Sequence, residues 1–265
     1  MIHLVISTKG GVGKSTVSSQ FVSAYVYRKI SKKVNFFEID DQNESIMRMK
    51  DSKLLSGIIV RMENIGKFVE ESILFDADVV VDVGGNNTAT QFLQKLKDLG
   101  GFASPVTYYI PMLDGDQDAK NAKQTFNSIR EFDQESKVIF VLNRCTNSGN
   151  QELLEREFMD FFGNDILDIE KMHQDENTHY IAVNKNTIYN VVGKLNKTIT
   201  EVANEDVEQE FKDAAIEFHK DKSNQELYKK VRVLMFLKEQ RNIAKNIIEN
   251  EYQALFEKLD EVLEA

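Results

Sequence analysis

The chain has 265 residues, 42% of them hydrophobic, which is enough to bury the core of one large domain or of a domain with an appendage. Its 43 acidic and 33 basic residues give a net charge of −10, which excludes a globally basic nucleic-acid-binding protein but leaves a local basic face open. One cysteine excludes intrachain disulfides, and no apolar run approaches the roughly 20 residues of a membrane span, so we expect a cytoplasmic protein.

Apolar runs typical of buried strands alternate with amphipathic runs typical of helices over roughly the first 195 residues. The predicted strands are 2–7, 33–39, 57–62, 78–83, 106–110, 137–142 and 179–183, with Pro111 expected to stop the fifth. The predicted helices run from the turn after the first strand to about residue 29, then over about 65–74, 88–99, 116–132 and 151–162. This alternation predicts an α/β fold with a mostly parallel, doubly wound sheet, in which ligands bind beyond the carboxyl ends of the strands.

The composition changes near residue 200. Residues 201–265 contain no glycine or proline and carry 16 acidic against 10 basic residues. They are expected to form two or three helices, the last over about 229–263. We therefore predict a domain over 1–200 and a helical C-terminal extension over 201–265, packed on that domain or on a partner subunit.

A glycine-rich segment joins the first predicted strand to the first predicted helix. It consists of Lys9, Gly10, Gly11, Val12, Gly13, Lys14, Ser15 and Thr16. The order strand, glycine-rich turn, helix start is the context of a phosphate-binding loop, because glycines let successive N–H groups point inward at a phosphate. Lys14 adds a positive charge, and the hydroxyl of Ser15 is a ligand that Mg²⁺ accepts.

Polar side chains follow the predicted strands at the edge where this loop lies. Asp82 ends an apolar strand and precedes Gly84 and Gly85. This position is typical of a carboxylate that holds Mg²⁺ through a water, while the glycines that follow approach the terminal phosphate. Asp40 ends the second strand and either orients the attacking water or binds a water next to the metal. The alternative for both aspartates is that they cap the helices that follow.

The glycine-rich segment resembles the deviant Walker A motif of the ParA/MinD group of P-loop ATPases, which is distinguished by an additional lysine at its start. The resemblance covers roughly residues 1–195 and implies that Lys9 reaches across an ATP-bound homodimer to the partner's nucleotide. It also implies that Lys14 binds the β- and γ-phosphates, Ser15 the Mg²⁺ and Thr16 the α-phosphate.

The same resemblance gives roles to residues outside the loop. Asp40 matches the switch I aspartate that positions water, Asp82 matches the switch II aspartate, and Asn143 matches the asparagine that reads adenine. Arg144 either stacks on adenine or pairs with a nearby acid. ATP is expected rather than GTP, since residues 143–146 lack the Asn-Lys-x-Asp pattern whose acid reads guanine.

The chain departs from the usual family pattern in both switches. Glu38 stands where the first switch I aspartate is usual, and Asp41 stands where proline is usual. Gly84 and Gly85 stand where many members have two prolines. None of these changes removes a metal ligand.

A basic arc is predicted on the last helix, within one narrow sector at 100° per residue. It comprises Lys230, Lys238, Arg241 and Lys245. The arc either contacts DNA phosphates in the dimer or is an ordinary solvated face. The last residues, 257–265, are acidic, and an anionic membrane would repel them, so membrane binding is not expected.

These observations together favour an ATP-dependent, dimerising switch ATPase of the ParA type with slow intrinsic turnover. The expected partners are a second copy in the ATP state, a centromere-binding or other activator protein, and non-specific DNA, which would place the protein in the cytoplasm or on the nucleoid. Its expected role is plasmid or chromosome partition. The alternatives are a MinD-like or cargo-positioning ATPase and an accessory ATPase in conjugal DNA transfer.

Overall fold

The computed structural model describes residues 1–40, 45–172 and 175–264, so Asp41 lies outside the described residues. The chain forms two compact units. The first comprises Met1–Asn186 with Lys258–Ala265, and the second comprises Thr187–Glu257. The domain boundary near residue 200 stays a prediction.

The first unit is built on a seven-stranded sheet in the order β3-β2-β4-β1-β5-β6-β7. Its strands are β1 Ile2–Val5, β2 Val34–Ile39, β3 Leu55–Ile59, β4 Val79–Val83, β5 Val106–Met112, β6 Lys137–Cys145 and β7 Thr178–Asn184. All neighbouring strands are parallel, which confirms the predicted fold class. Every residue of β4 and β5 is buried, as expected of strands covered on both faces.

Helices connect these strands. Helix α1 covers residues 14–30, in three segments: Lys14–Thr16, the π-helical Val17–Val22 and Ser23–Ile30. The others are α2 Ile65–Glu71, α3 Asn87–Leu99, α4 Asp116–Arg130, α5 Gln151–Glu157 and α6 Met159–Phe162. Short 3-10 turns lie at Ser45–Met49, Met62–Asn64 and Ser72–Leu74. Because parallel strands linked by helices all end at the same edge, the loops that follow β1, β2, β4 and β6 meet there.

Two strand predictions were wrong. The third strand covers Leu55–Ile59 and not 57–62, because Arg61 already precedes the 3-10 turn. Strand β5 continues through Pro111 to Met112. Tyr109 O accepts from Ile6 N at 3.0 Å, so the backbone of Tyr109 faces β1. Since backbone polar groups of alternate residues face the same neighbouring strand, the nitrogen of Pro111 also faces β1, beyond the last paired residue of that strand. Its missing N–H therefore faces β1, where the pairing ends, and the pairing of β5 with β6 continues through Met112.

The C-terminal residues of the chain are fastened to the first unit by polar contacts. Asp260 accepts a hydrogen bond from Tyr25 Oη at 2.8 Å, forms an ion pair with Arg28 and lies 3.4 Å from Lys29 Nζ. Lys137 Nζ donates to the carbonyl oxygen of Val262. The end of the chain is thus held against the last turns of α1, the helix that begins at the phosphate loop.

The second unit is helical. It contains α7 Ile188–Leu195, α8 Ile199–Asn204, α9 Glu208–Lys220, α10 Gln225–Ile247, a π-helical segment Ile248–Tyr252 and the first residues of α11 Gln253–Glu264. A capping box starts α8, in which Thr198 and Glu201 bond each other's backbone N–H. Among the residues that the structure describes, no helix is long and apolar enough to cross a membrane.

Candidate functional site

The phosphate loop leaves β1 and enters α1 through backbone angles that only glycine adopts readily. Gly11 and Gly13 have φ of 81° and 90°. At Gly13 a Cβ would also lie 2.3 Å from Nδ2 of Asn143. Gly13 is therefore required both for its backbone angle and for the close approach of Asn143.

The loop forms one side of an open cleft of about 370 Å³, within the size range of small-molecule sites. The cleft is lined by Gly10, Gly11, Gly13, Lys14, Ser15, Asp40, Gly84, Gly85, Asn86, Thr88 and Arg144. It thus brings together residues that follow β1, β2 and β4 with a residue of β6. Five residues of the predicted nucleotide and metal site do not line the cleft, namely Lys9, Val12 and Thr16 of the loop, Asp82 and Asn143.

Lys14 lies at the base of this cleft and is buried. Its Nζ donates to the carbonyl oxygen of Lys9 at 2.8 Å. Burial lowers the pKa of Lys14, while the nearby carboxylates of Asp82 and Asp40 oppose the shift. An ammonium group has three donors, so the bond to Lys9 leaves two that can be directed at a phosphate.

Asp82 is the most strongly perturbed carboxyl group of the site. It is 3% exposed, and burial raises its pKa to about 7. Hydrogen bonds from the Ser15 and Ser18 hydroxyls oppose this shift, because they lower the pKa. Within the described part of the chain its Oδ1 is buried without a hydrogen-bond partner. A Mg²⁺ ion or a water bound to it would satisfy that oxygen, and the Ser15 hydroxyl lies beside it, so these residues fit the metal.

The two glycines after β4 make room for the side chains of Asp40 and Lys14. A Cβ on Gly84 would lie 2.8 Å from Cγ of Asp40. A Cβ on Gly85 would lie 3.0 Å from Nζ of Lys14 and 3.2 Å from Cα of Gly10. The Gly-Gly pair in switch II therefore allows Asp40 and the phosphate loop to approach the end of β4.

The switch I glutamate also has a structural task. Glu38 is buried, and its Oε2 accepts from the backbone N–H of Ile46 at 2.9 Å. This bond ties the end of β2 to the 3-10 turn at Ser45–Met49. Glu38 also adds a negative charge that raises the pKa of Asp82, after the larger effect of burial.

Lys9 contacts an acid that sequence reasoning missed. Its Nζ lies 2.6 Å from Oδ2 of Asp118, in the first turn of α4, and its side chain is one-third exposed. Asp118 Oδ1 is buried and has no hydrogen-bond partner among the described residues. Nothing in the local sequence separates Asp118 from other acids at helix starts.

Asn86 is a second residue that the sequence did not reveal. Its Oδ1 accepts from the backbone N–H of Gly10 at 3.1 Å, and its φ of 51° is unusual for a residue other than glycine. The only hint was its position, directly after Gly84 and Gly85. Asn86 thus links the switch II turn to the phosphate loop.

The end of β6 supports the phosphate loop from the other side. Asn143 is buried; its Nδ2 donates to Val12 O at 2.8 Å and its Oδ1 accepts from Arg144 N at 3.0 Å. A β-bulge between Asn143 and Cys145, with a φ of 61° at Arg144, accompanies the placement of Arg144 on the cleft. The reading of adenine by Asn143 stays a prediction, as does the stacking of Arg144.

The four residues of the basic arc lie on α10 in the second unit. Lys230 Nζ is 3.3 Å from Glu210, and Lys238 Nζ is 3.0 Å from Glu208 and lies over the ring of Phe211. Arg241 and Lys245 are half-buried. Two of the four charges are thus already paired with acids of α9, and their contact with DNA stays a prediction.

Replacing Gly85 by alanine tests the close approach at switch II. Because the new Cβ meets Lys14 and the backbone of Gly10, we expect Gly85→Ala to weaken ATP binding at least tenfold, about 1.4 kcal/mol. Titration calorimetry measures this. Gly66→Ala is the matched control, since a Cβ there meets nothing within 4 Å. Equal affinity of the two variants would contradict the assignment.

Replacing Asp82 by asparagine tests the cost of its buried charge. Its folded pKa of about 7 lies above the unfolded value of 3.8, so its destabilising effect grows as the pH rises through that interval and is complete above pH 7. In nucleotide-free protein without Mg²⁺, Asp82→Asn should raise the free energy of unfolding at pH 8 by up to about 4 kcal/mol, and by little at pH 4. Urea unfolding at both pH values measures it, and a pH-independent effect would refute the buried-charge explanation.

Comparisons with known proteins identify the family of this chain. The family model of the CobQ/CobB/MinD/ParA nucleotide-binding domain matches residues 3–188. Among solved structures, the MinD cell division protein of Aquifex aeolicus is similar at 17% identity with a TM-score of 0.50, over 88% of this chain and 96% of that one. A plasmid partition protein of Borrelia burgdorferi B31 bound to AMPPNP matches at 13% identity with a TM-score of 0.48, over 74% of this chain and 90% of that one. Curated protein sequences gave no significant match. Because the family match spans more than half of the residues, the chain belongs to the CobQ/CobB/MinD/ParA nucleotide-binding domain family, as the glycine-rich loop predicted.

Proposed function

We propose that this protein is an ATP-dependent, dimerising switch ATPase of the ParA type that acts in plasmid or chromosome partition. The observation that carries the proposal is the presence of two lysines, Lys9 and Lys14, in one phosphate loop of a chain of this family. Lys14 is buried in its own cleft, whereas the side chain of Lys9 is partly exposed. Two lysines so placed suit two nucleotides, one in each subunit.

The residues of the cleft have the properties that phosphoryl transfer needs. The loop N–H groups and Lys14 bind the phosphates, and Asp40 orients the attacking water. Ser15 and Asp82 hold Mg²⁺, which when bound neutralises negative charge on the phosphate oxygens. A site that contains the three acids Glu38, Asp40 and Asp82 beside one lysine favours such a cation, because the buried negative charges otherwise outnumber the positive one.

The ion pair between Lys9 and Asp118 supports the switch. At 2.6 Å it holds Lys9 within its own subunit, and a phosphate of the partner's nucleotide is a competing anion. Exchange of Asp118 for that phosphate couples ATP to dimerisation, and loss of the γ-phosphate reverses the exchange. The phosphate loop and the two switch motifs contain no arginine that could stabilise the transferred phosphoryl group, so we propose slow turnover that an activator protein accelerates.

The two lysines give a matched pair of variants. Lys14→Ala should weaken ATP binding by about 30-fold or more, because a buried, charge-assisted contact to the phosphates is lost. Lys9→Ala should change the affinity for ATP by no more than about threefold, which is less than about 1 kcal/mol. It should nevertheless lose ATP-dependent dimerisation, because the contact of Lys9 with the partner's nucleotide is lost. Calorimetry and light scattering with Mg²⁺·ATP measure both. Dimerisation of Lys9→Ala at wild-type ATP concentrations would contradict the proposal.

DNA binding by the dimer is the second part of the proposal. Lys230 and Lys245 belong to the basic arc and have side chains that do not fill the core. Reversing both to glutamate should weaken ATP-dependent binding of non-specific DNA at least tenfold and lower its salt dependence by about two units of slope. Fluorescence anisotropy at several salt concentrations measures this.

The control carries the same charge change elsewhere. The double variant Lys67→Glu with Lys95→Glu reverses the charge of two exposed lysines of the first unit. The affinity of this variant for DNA should stay at the wild-type value. ATP-dependent dimerisation without any DNA binding would favour the cargo-positioning alternative instead.

A further inference from the structure

One face of α10 is exposed although it is rich in large apolar side chains. We call this face the outer stripe; it consists of Tyr228, Arg232, Met235, Phe236 and Glu239. Tyr228, Met235 and Phe236 are 44%, 56% and 43% exposed. Positions 228, 232, 235 and 239 follow the 4-3-4 spacing of a helix–helix contact seam.

The opposite face of the same helix is already covered. Leu234 is buried there, Leu227 and Val231 are half-buried, and α10 packs against α9. Farther along, the spacing of the outer stripe continues at Ile243, which is half-buried. A helix that is apolar on both faces is normally buried on both, so the outer stripe is a face that a further surface would cover.

The stripe also carries one charge of each sign. Arg232 and Glu239 are exposed, seven residues apart and therefore about two helical turns from each other on the same side. Neither forms an ion pair within the described part of the chain, whereas Lys230 and Lys238 pair with acids of α9. The guanidinium of Arg232 lies over the ring of Tyr228, 5.8 Å from its centroid.

We propose that the outer stripe is an interface between two copies of this chain, in which the α10 helices run antiparallel about a two-fold axis between residues 235 and 236. In that register Arg232 faces Glu239 of the partner subunit, and the symmetry repeats the pair. Met235 faces Phe236 of the partner subunit, Tyr228 faces its Ile243, and Lys229 faces its Asn242. The arrangement buries the exposed rings and pairs both free charges at once.

A second copy fits this face better than an anionic membrane or DNA does. Glu239 lies within the seam, one turn from Phe236, so a surface of negative charge would repel the stripe where its rings make contact. A second copy supplies Arg232 at that point. The interface goes beyond the proposed ATP-dependent dimer, because it involves no residue of the phosphate loop and needs no nucleotide.

The test is sedimentation equilibrium of the full chain, without nucleotide and with EDTA, at about 1 to 100 µM, where a micromolar dissociation constant is measurable. The wild type should pass from monomer to dimer over this range, and Phe236→Glu should stay monomeric. Arg232→Glu and Glu239→Arg should each raise the dissociation constant about tenfold, and the double variant should restore it to within about threefold. Val233→Glu is the control, since Val233 is 58% exposed on α10 but lies outside the stripe.

Each other result overturns the proposal. A wild type that stays monomeric at the highest concentration excludes the interface, as does a double charge reversal that fails to restore dimerisation. Since Arg232 and Glu239 are exposed, the charge variants give this answer even if Phe236→Glu misfolds, which thermal melting detects. Binding of the monomer to phosphatidylserine vesicles, lost in Phe236→Glu, would assign the stripe to a lipid surface instead.

Discussion

The hydrogen bond from Asn143 Nδ2 to the carbonyl oxygen of Val12 holds the phosphate loop in its curled form. It requires that residue 13 have no Cβ, and it lies where β6 bulges, between Asn143 and Cys145. Because the loop, the bulge and the start of α1 meet at one bond, the position of Lys14 depends on a strand far away in the sequence. The parallel sheet makes that possible, since it brings the ends of β1 and β6 to the same edge.

Charge is the second constraint on the site. Three buried acids face one buried lysine, and burial, with a smaller effect of the Glu38 charge, raises the pKa of Asp82 to about 7. Such a cluster is costly as long as its charges are unbalanced, and a divalent cation is the kind of ligand that balances it. The cost of the buried acids and the proposed affinity for Mg²⁺ thus have one physical origin.

The two lysines of the loop show how the same residue type takes different roles in different surroundings. Lys14 is enclosed by the loop and by Gly85, so its charge is directed into the cleft. Lys9 lies outside that enclosure and pairs with Asp118. In the second unit, the lysines of the basic arc are again divided, because α9 supplies acids for Lys230 and Lys238. What distinguishes these lysines is whether a neighbouring acid already pairs with their charge, and not how many lysines there are.

Local sequence determined the elements of this protein and the loop that defines its family, because strand and helix periodicity and the glycine-rich motif are each written within a few consecutive residues. It also predicted that Asp40 and Asp82 lie at the carboxyl ends of strands, on the edge of the sheet that carries the phosphate loop. Only the tertiary structure decided which side chains meet: Asp118 with Lys9, Asn86 with Gly10, and Asn143 with Val12. Each of these contacts joins residues more than 70 positions apart, so no local pattern encodes it. The same reason explains Pro111, which stays within β5 because it pairs with Val141 of β6, a residue far away in the chain.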